Sequence, residues 1–239
     1  MSAHGPERVG ERIEGIGLDA TGTLFEIVDL GGEYARVLAR HGVELDPREL
    51  ARLVPEVWRE FACTADPARD RFASHPGGAR GFWRDVLDRL LARAGAAPAS
   101  PFAAAELFER FAGAGPWRLF DDVAPALARL RTAGLRLAVV SNWDERLPRL
   151  VAALGLESSF DAVVFSSAVG FEKPHPAIFA AASDALGVAP ARLLHVGDRR
   201  LEDVEGARGA GWRALLLDRA GGGDLASLAE LPDRVAALA

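Results

Sequence analysis

Six residues of this 239-residue chain combine reactive chemistry with a suggestive setting: Asp19, Ser141, Asn142, Lys173, Asp198 and Asp203. Asp19 closes the apolar run IEGIGLD, Ser141-Asn142 closes LRLAVVSN, and Asp198 closes RLLHVGD; Lys173 lies in GFEKPHP, a few residues after DAVVFSS, which ends in Ser166-Ser167. Short apolar runs rich in β-branched residues read as strands, and in an open parallel sheet ligands bind outside the carboxyl ends of the strands. One aspartate at such an end would be unremarkable as the N-cap of the next helix. Two of them on one edge, with serine and lysine, exceed what capping requires. Asp19 and Asp198 would repel each other, and Asp203 adds a third carboxylate if GDRRLED places it one helical turn onward. That cluster is costly unless a cation sits among the carboxylates, and hard oxygen ligands with room for water suit Mg²⁺. Lys173 with Mg²⁺ would cradle a phosphoryl group, with the Ser141 hydroxyl and loop N–H groups donating to its oxygens. A carboxylate in line with that phosphorus can attack it and form an aspartyl-phosphate.

Composition singles out the same residues. Of the 28 basic residues 27 are arginine and one is lysine, Lys173; asparagine also occurs once, at Asn142, and glutamine not at all. Under a bias that disfavours Lys and Asn, the positions where they persist are candidates for chemistry that Arg or Asp cannot supply.

The elements that must position these residues fall into two regimes. After the first strand and its TGT turn, the pattern from Gly31 to about Gly115 is helical. EYARVLARHG is closed by Gly42; Asp46-Pro47 caps a helix through about Cys63; ARGFWRDVLDRLLARAG follows the Pro76-Gly77-Gly78 breaker as an amphipathic helix; and Ser100-Pro101 caps FAAAELFERFAG. From Trp117 helices and strands alternate: DDVAPALARLRTAG then LRLAVVS, ERLPRLVAALG then DAVVFSS, HPAIFAAASDALG then RLLHVGD, LEDVEGARGAG then WRALLLD. This alternation predicts right-handed crossovers and a doubly wound, mainly parallel α/β sheet of Rossmann-like type. The first strand joins that later unit, which gives an α/β core of residues 1–28 and 116–239 with an all-helical insertion, 29–115. The tail after Asp218 is a Gly-rich loop with short helical pieces, and its GGG lacks the strand-before, helix-after setting of a phosphate loop.

Bulk properties exclude several function classes. A net charge of −6 and a pI of about 5.5 give no electrostatic case for nucleic acid, and no basic run resembles a membrane anchor. No stretch approaches the roughly 20 apolar residues of a membrane helix, and the polar N-terminus MSAHGPERVGERIEG lacks the apolar centre of a signal peptide. The single cysteine, Cys63, precludes an internal disulfide framework and suits a reducing compartment; with no motif around it, it reads as helix filler. These features predict a soluble, cytoplasmic protein, and the phosphoryl-transfer chemistry above a small phosphorylated substrate.

DATGTLF, VVSNWD, GFEKPHPAIF and HVGDRRLED, in that order, resemble the four motifs of the haloacid dehalogenase-like hydrolases, and the helical insertion after the first resembles their C1-type cap. The resemblance covers essentially the whole chain. It implies that Asp19 is the nucleophile, that Ser141, Asn142 and Lys173 bind phosphate, and that Asp19, Asp198, Asp203 and the backbone carbonyl of Thr21 hold Mg²⁺. Phosphatases of this family usually carry a second aspartate two residues after the nucleophile, which protonates the leaving group and later activates water. Here that position is Thr21, so a loss on the order of 10²–10⁴-fold is expected. Three outcomes stay open: a slow Mg²⁺-dependent phosphatase, a metal-independent 2-haloacid dehalogenase, or a degenerate protein that binds a phosphorylated ligand. Retention of Asp198 and Asp203 speaks against the second. DATGT is also similar to the DKTGT of P-type ATPases, but no other feature of those pumps is present.

Other polar candidates have plainer roles. His195 reads as a hydrogen-bonded core histidine, His175 as a helix start, and Arg199 and Arg200 as solvated. Trp143 either lines the mouth of the site or packs against the cap. His75, Arg80 and Trp83 flank the Pro-Gly-Gly breaker, where a loop over the site or a helix start with an aromatic core face would both fit.

Overall fold

The computed structural model describes residues 12–64 and 69–238. The polar N-terminal stretch up to residue 11 and the side chain of Cys63 lie outside the described residues. The chain opens with β1 (Gly15–Leu18) and β2 (Phe25–Ile27), followed by four helices, α1 (Leu30–Arg40), α2 (Pro47–Thr64), α3 (Gly78–Arg93) and α4 (Pro101–Arg110). Then come β3 (Trp117–Leu119), α5 (Val123–Thr132), β4 (Arg136–Ser141), α6 (Leu147–Ala153) and β5 (Ala162–Phe165). The remainder is α7 (Ser166–Val169), α8 (Pro176–Leu186), β6 (Leu193–Gly197), a widened π-helical turn (Arg200–Glu205), α9 (Gly206–Gly209), β7 (Arg213–Leu216) and α10 (Leu231–Ala236).

β1, β4, β5, β6 and β7 form one parallel sheet in the order β5-β4-β1-β6-β7. Alternate residues supply its two faces, which is why these strands read as unbroken apolar runs rather than as alternating ones. Leu137 and Val139 join α5, α6 and α10 in one cluster, whereas Ala138 and Val140 join α8 and α9 in another. The chain steps outward from central β1 to β4 and β5, then crosses to β6 and β7 on the other side. The resulting switch point sets the ends of β1, β4 and β6 side by side, the place where a doubly wound sheet binds its ligands.

The helical segment has a core of its own, with Val37, Leu50, Val57, Phe82, Leu90 and Leu107 among its buried residues. Its predicted signals are in place. Asp46 accepts from the Arg48 N–H before Pro47, Ser100 Oγ accepts from the Ala103 N–H at 3.1 Å, and Gly42 follows α1 at φ +80°. Among the described residues no helix is long and apolar enough to cross a membrane.

Three local features differ from the sequence reading. β2 and β3 pair antiparallel on either side of the helical segment, Phe25 against Leu119 and Ile27 against Trp117, so the two chain crossings lie together. Each is only three residues long, too short to display a period. β5 stops at Phe165, and Ser166 begins α7 instead of ending the strand: its hydroxyl is drawn to the Trp143 backbone, accepting from N–H at 3.0 Å and donating to C=O at 3.2 Å. The helix expected from Leu201 starts as a π turn, in which both the Asp203 and Val204 N–H groups point to the Arg199 carbonyl. π turns recur where a side chain must be re-aimed at a site; here the redirected side chain is Asp203.

Candidate active site

The switch point brings the strand-end residues together. Asp19 continues β1 through its N–H to the Val196 carbonyl at 2.9 Å. The Ser141 hydroxyl at the end of β4 donates to Asp19 Oδ1 at 2.9 Å. Lys173 Nζ donates to the same oxygen at 2.6 Å, to Asp203 Oδ1 at 2.6 Å and to the Val140 carbonyl at 2.9 Å. Three acceptors complete the donor capacity of an ammonium group. Asp19 is 7% exposed and Lys173 4%. No hydrogen bond reaches Asp19 Oδ2 among the described residues, which leaves that oxygen free.

Asn142 acts on the lysine backbone. Its Oδ1 accepts from the Lys173 N–H at 2.6 Å and its Nδ2 donates to the Lys173 carbonyl at 3.0 Å. The amide fixes the loop that carries Lys173, a bidentate task that aspartate could not perform because it has no donor.

Asp203 is fully engaged. Oδ1 accepts from Lys173 and from His195 Nε2 at 3.0 Å, and Oδ2 from the Arg199 N–H at 2.9 Å. Gly197 makes room for it: a Cβ at that position would overlap the Asp203 carboxyl group. Burial raises the cost of the Asp203 charge, but the Lys173 ammonium and the His195 hydrogen bond outweigh it and hold the carboxyl well below its usual range. Lys173 mirrors this. Burial alone would lower it, and Asp19 and Asp203 hold it above the ordinary lysine value. Burial pushes the His195 imidazole down, so it stays neutral and donates Nε2–H to Asp203 as a core histidine.

Asp198 has the opposite electrostatics. Burial, with Asp19 and Asp203 close by, pushes its carboxyl up to about 6. Oxygens of Asp19, Asp198 and Asp203 lie within 4.8 Å of one another. A carboxylate strained in this way at the mouth of an acidic trio is the donor chemistry that a hard divalent cation relieves. Because both Asp203 oxygens already carry hydrogen bonds, Asp19 and Asp198 have the freer oxygens. The turn after Asp19 is built to fit. Gly22 sits at φ +84°, and a Cβ there would meet Asp198 Oδ2 at 2.5 Å. Thr21 lies exposed in this turn.

Removing the lysine charge tests the balance among these groups. Lys173→Met leaves Asp19 and Asp203 buried without their cation, and breaking a buried pair by deleting one partner costs about 3–5 kcal/mol. For a domain of this size, that is a fall in thermal midpoint of roughly 6–20 °C. A loss below about 1 kcal/mol by calorimetry would show that Lys173 does not compensate the carboxylates.

Several residues that hold the site carry no local sequence signal. Arg219, in the tail, donates Nη2 to the Thr23 carbonyl at 2.8 Å and Nε to the Gly22 carbonyl at 3.3 Å, and pairs through Nη1 and Nη2 with Asp122. It pins the turn after Asp19 to the segment following β3. Asp144 and Arg146 form a buried pair in the loop after β4, and Trp83 Nε1 donates to Asp144 at 2.7 Å. Trp83 therefore docks the helical segment onto this loop. His75 pairs with Asp85, and Arg80 with Glu109. Trp143 packs against Phe25 and Trp117. His175 starts α8, its Nδ1 accepting from the Ala177 N–H. Arg199 and Arg200 are exposed.

Comparison with known proteins bears on this arrangement. A family model described as haloacid dehalogenase-like hydrolase matches residues 13–211. The chain is 34% identical over 190 residues to the human haloacid dehalogenase-like hydrolase domain-containing protein 3, covering 79% of this chain and 74% of that one. It is 33% identical over 210 residues to a glyceraldehyde 3-phosphate phosphatase of Methanopyrus kandleri, covering 83% and 81%. In fold it is similar to the L-2-haloacid dehalogenase of Xanthobacter autotrophicus, with a TM-score of 0.71 at 24% identity over 95% of this chain and all of that one.

Proposed function

The chain belongs to the haloacid dehalogenase-like hydrolases, and from that premise we propose that it is a Mg²⁺-dependent phosphatase of small phosphomonoesters acting through Asp19. One observation carries the choice of chemistry: Lys173 Nζ lies 2.6 Å from Asp19, with Asp198 and Asp203 close enough to share a cation. Metal-independent displacement of halide by a carboxylate needs no cation among three acids, so the full trio favours the phosphatase.

In this reading Ser141 and Lys173 hold Asp19 Oδ1, so Oδ2 is the oxygen that attacks phosphorus. The new P–O bond forms as the bond to the ester oxygen breaks, and the departing alkoxide takes a proton from water because the Thr21 hydroxyl is far too weak an acid to supply one. Water then attacks the aspartyl-phosphate, releasing inorganic phosphate and restoring the Asp19 carboxylate. As the phosphoryl group binds, the Ser141 hydroxyl and one Lys173 N–H exchange Asp19 Oδ1 for its oxygens, and Asn142 keeps the Lys173 loop in register. Mg²⁺ would be held by Asp19, Asp198 and the Thr21 carbonyl, with Asp203 supporting the set, and would neutralise charge on the phosphoryl group. Residues 29–115 serve as a C1-type cap over the site and select the substrate.

The test is a panel of phosphomonoesters and short 2-haloacids, each assayed with Mg²⁺ and with EDTA. Slow phosphate release is expected in Mg²⁺, falling to background in EDTA. Halide release that survives EDTA would establish a dehalogenase instead. Affinity for phosphate esters with turnover on none of them would establish a binding protein.

A further inference from the structure

The geometry points to Arg71, in the helical segment, as a positioning residue that acts through Glu172 on Lys173. The inference rests on the reading of Lys173 as the phosphate-binding lysine. Arg71 lies between α2 and α3, and three of its nitrogens converge on one carboxylate: the N–H at 2.9 Å and Nε at 2.6 Å to Glu172 Oε1, and Nη2 at 2.5 Å to Oε2. The two side chains are 15% and 12% exposed. One residue earlier, the Asp70 N–H donates to the Gly170 carbonyl at 2.9 Å. Residues 70 and 71 thus make four hydrogen bonds to the loop that delivers Lys173, and Glu172 is covalently next to that lysine. A forked, two-oxygen arginine–carboxylate bond fixes orientation as well as distance.

Arg71 is itself held. Its guanidinium lies 5.0 Å from the Trp58 ring centre, and Trp58 stacks on Trp83 at 5.2 Å with the planes 9° apart. Trp83 bonds to Asp144, whose partner Arg146 lies over the Trp83 and Phe108 rings and donates to the Phe108 carbonyl. A continuous series of contacts therefore joins the Lys173 loop to the Ser141-Asn142 loop through the helical segment. Asn142 grips the Lys173 loop from the sheet side and Arg71 grips it from the other. Were the helical segment to move off this loop, the Arg71–Glu172 bond would part and the loop would lose its hold on that side. The docked position of the segment and the placement of Lys173 are thereby coupled.

The test uses the full chain with Arg71→Met, Arg71→Lys and Glu172→Gln, read by steady-state kinetics on an aryl phosphate and by amide hydrogen exchange of the free protein. Arg71→Met and Glu172→Gln are each expected to lower kcat by about 10- to 100-fold, since a misplacement near 1 Å costs on that order. The double variant should be no worse than either single, because the two residues act as a unit. Arg71→Lys, which keeps the charge but loses the fork, should fall between them and wild type. Exchange should accelerate at residues 170–175 while the buried strands stay protected. An unchanged kcat, or faster exchange confined to residues 69–77, overturns the assignment by showing that the bond serves only the helical segment. The exchange arm needs no turnover. If wild type hydrolyses no phosphate ester yet loop 170–175 loosens in the variants, the positioning role stands and the phosphatase reading alone fails.

Discussion

Asp19→Asn is expected to lower phosphomonoester hydrolysis by at least about 10³-fold while leaving the protein folded. Removing a covalent nucleophile eliminates a two-step route and leaves only what binding and electrostatics supply. Asparagine has nearly the same shape, and its Oδ1 can still accept from Ser141 and from Lys173, which now hold Asp19 Oδ1 at 2.9 and 2.6 Å. The ammonium keeps Asp203 as a charged partner, and loss of one member of a repelling acidic trio offsets part of what is lost from the ion pair. The variant should therefore bind phosphate esters with affinity within a few-fold of wild type, since Lys173 and Ser141 remain, while turnover disappears. Activity within tenfold of wild type, in a preparation shown by mass spectrometry to be free of deamidation at position 19, would remove Asp19 from the mechanism. Loss of binding together with turnover would instead mean that the substitution had collapsed the Lys173 cluster.

That cluster was largely legible in the sequence because three of its members sit where a local pattern stops. Asp19, Ser141 and Asp198 mark the points at which apolar runs end, and parallel topology turns such ends into neighbours. Lys173 and Asn142 stood out by rarity. The same composition concealed the arginines: with 27 of them in the chain, nothing marked Arg71, Arg146 or Arg219 as different from the rest. Their partners are also remote. Arg71 and Glu172 are 101 residues apart, and Arg219 and Asp122 are 97 apart. Pairing of this kind imposes no period on either segment. The β2–β3 pair was invisible for the same reason, since the whole helical segment separates two strands of only three residues each. Asp203 lies between the two cases. Its distance from Asp198 suggested one helical turn, but the widened π turn that aims it at Lys173 depends on contacts to His195 and to the Arg199 N–H that no local rule encodes.

Thr21→Asp should raise kcat for alkyl phosphates by about 10²-fold or more, the lower end of what a positioned general acid–base contributes. The site can accept the change. Thr21 is exposed in the turn after Asp19, and the strained φ of that turn belongs to Gly22, not to Thr21. An exposed substitution of this kind usually alters stability by no more than about 0.5 kcal/mol. Burial first, and then Asp19 and Asp203, push the neighbouring Asp198 carboxyl up to about 6. An exposed carboxyl at position 21 escapes the burial and keeps only the repulsion, which favours its protonated form. That is the form able to protonate an alkoxide. Aryl phosphates, whose leaving groups depart without a proton, should gain much less, so the ratio of alkyl to aryl kcat is the decisive measurement. Equal gains on both would show that the introduced carboxyl acts through charge or metal affinity and not as an acid. No gain on either, in a folded variant that still binds Mg²⁺ by calorimetric titration, would mean that the proton comes from another group of this chain and that Thr21 is not the cause of slow turnover.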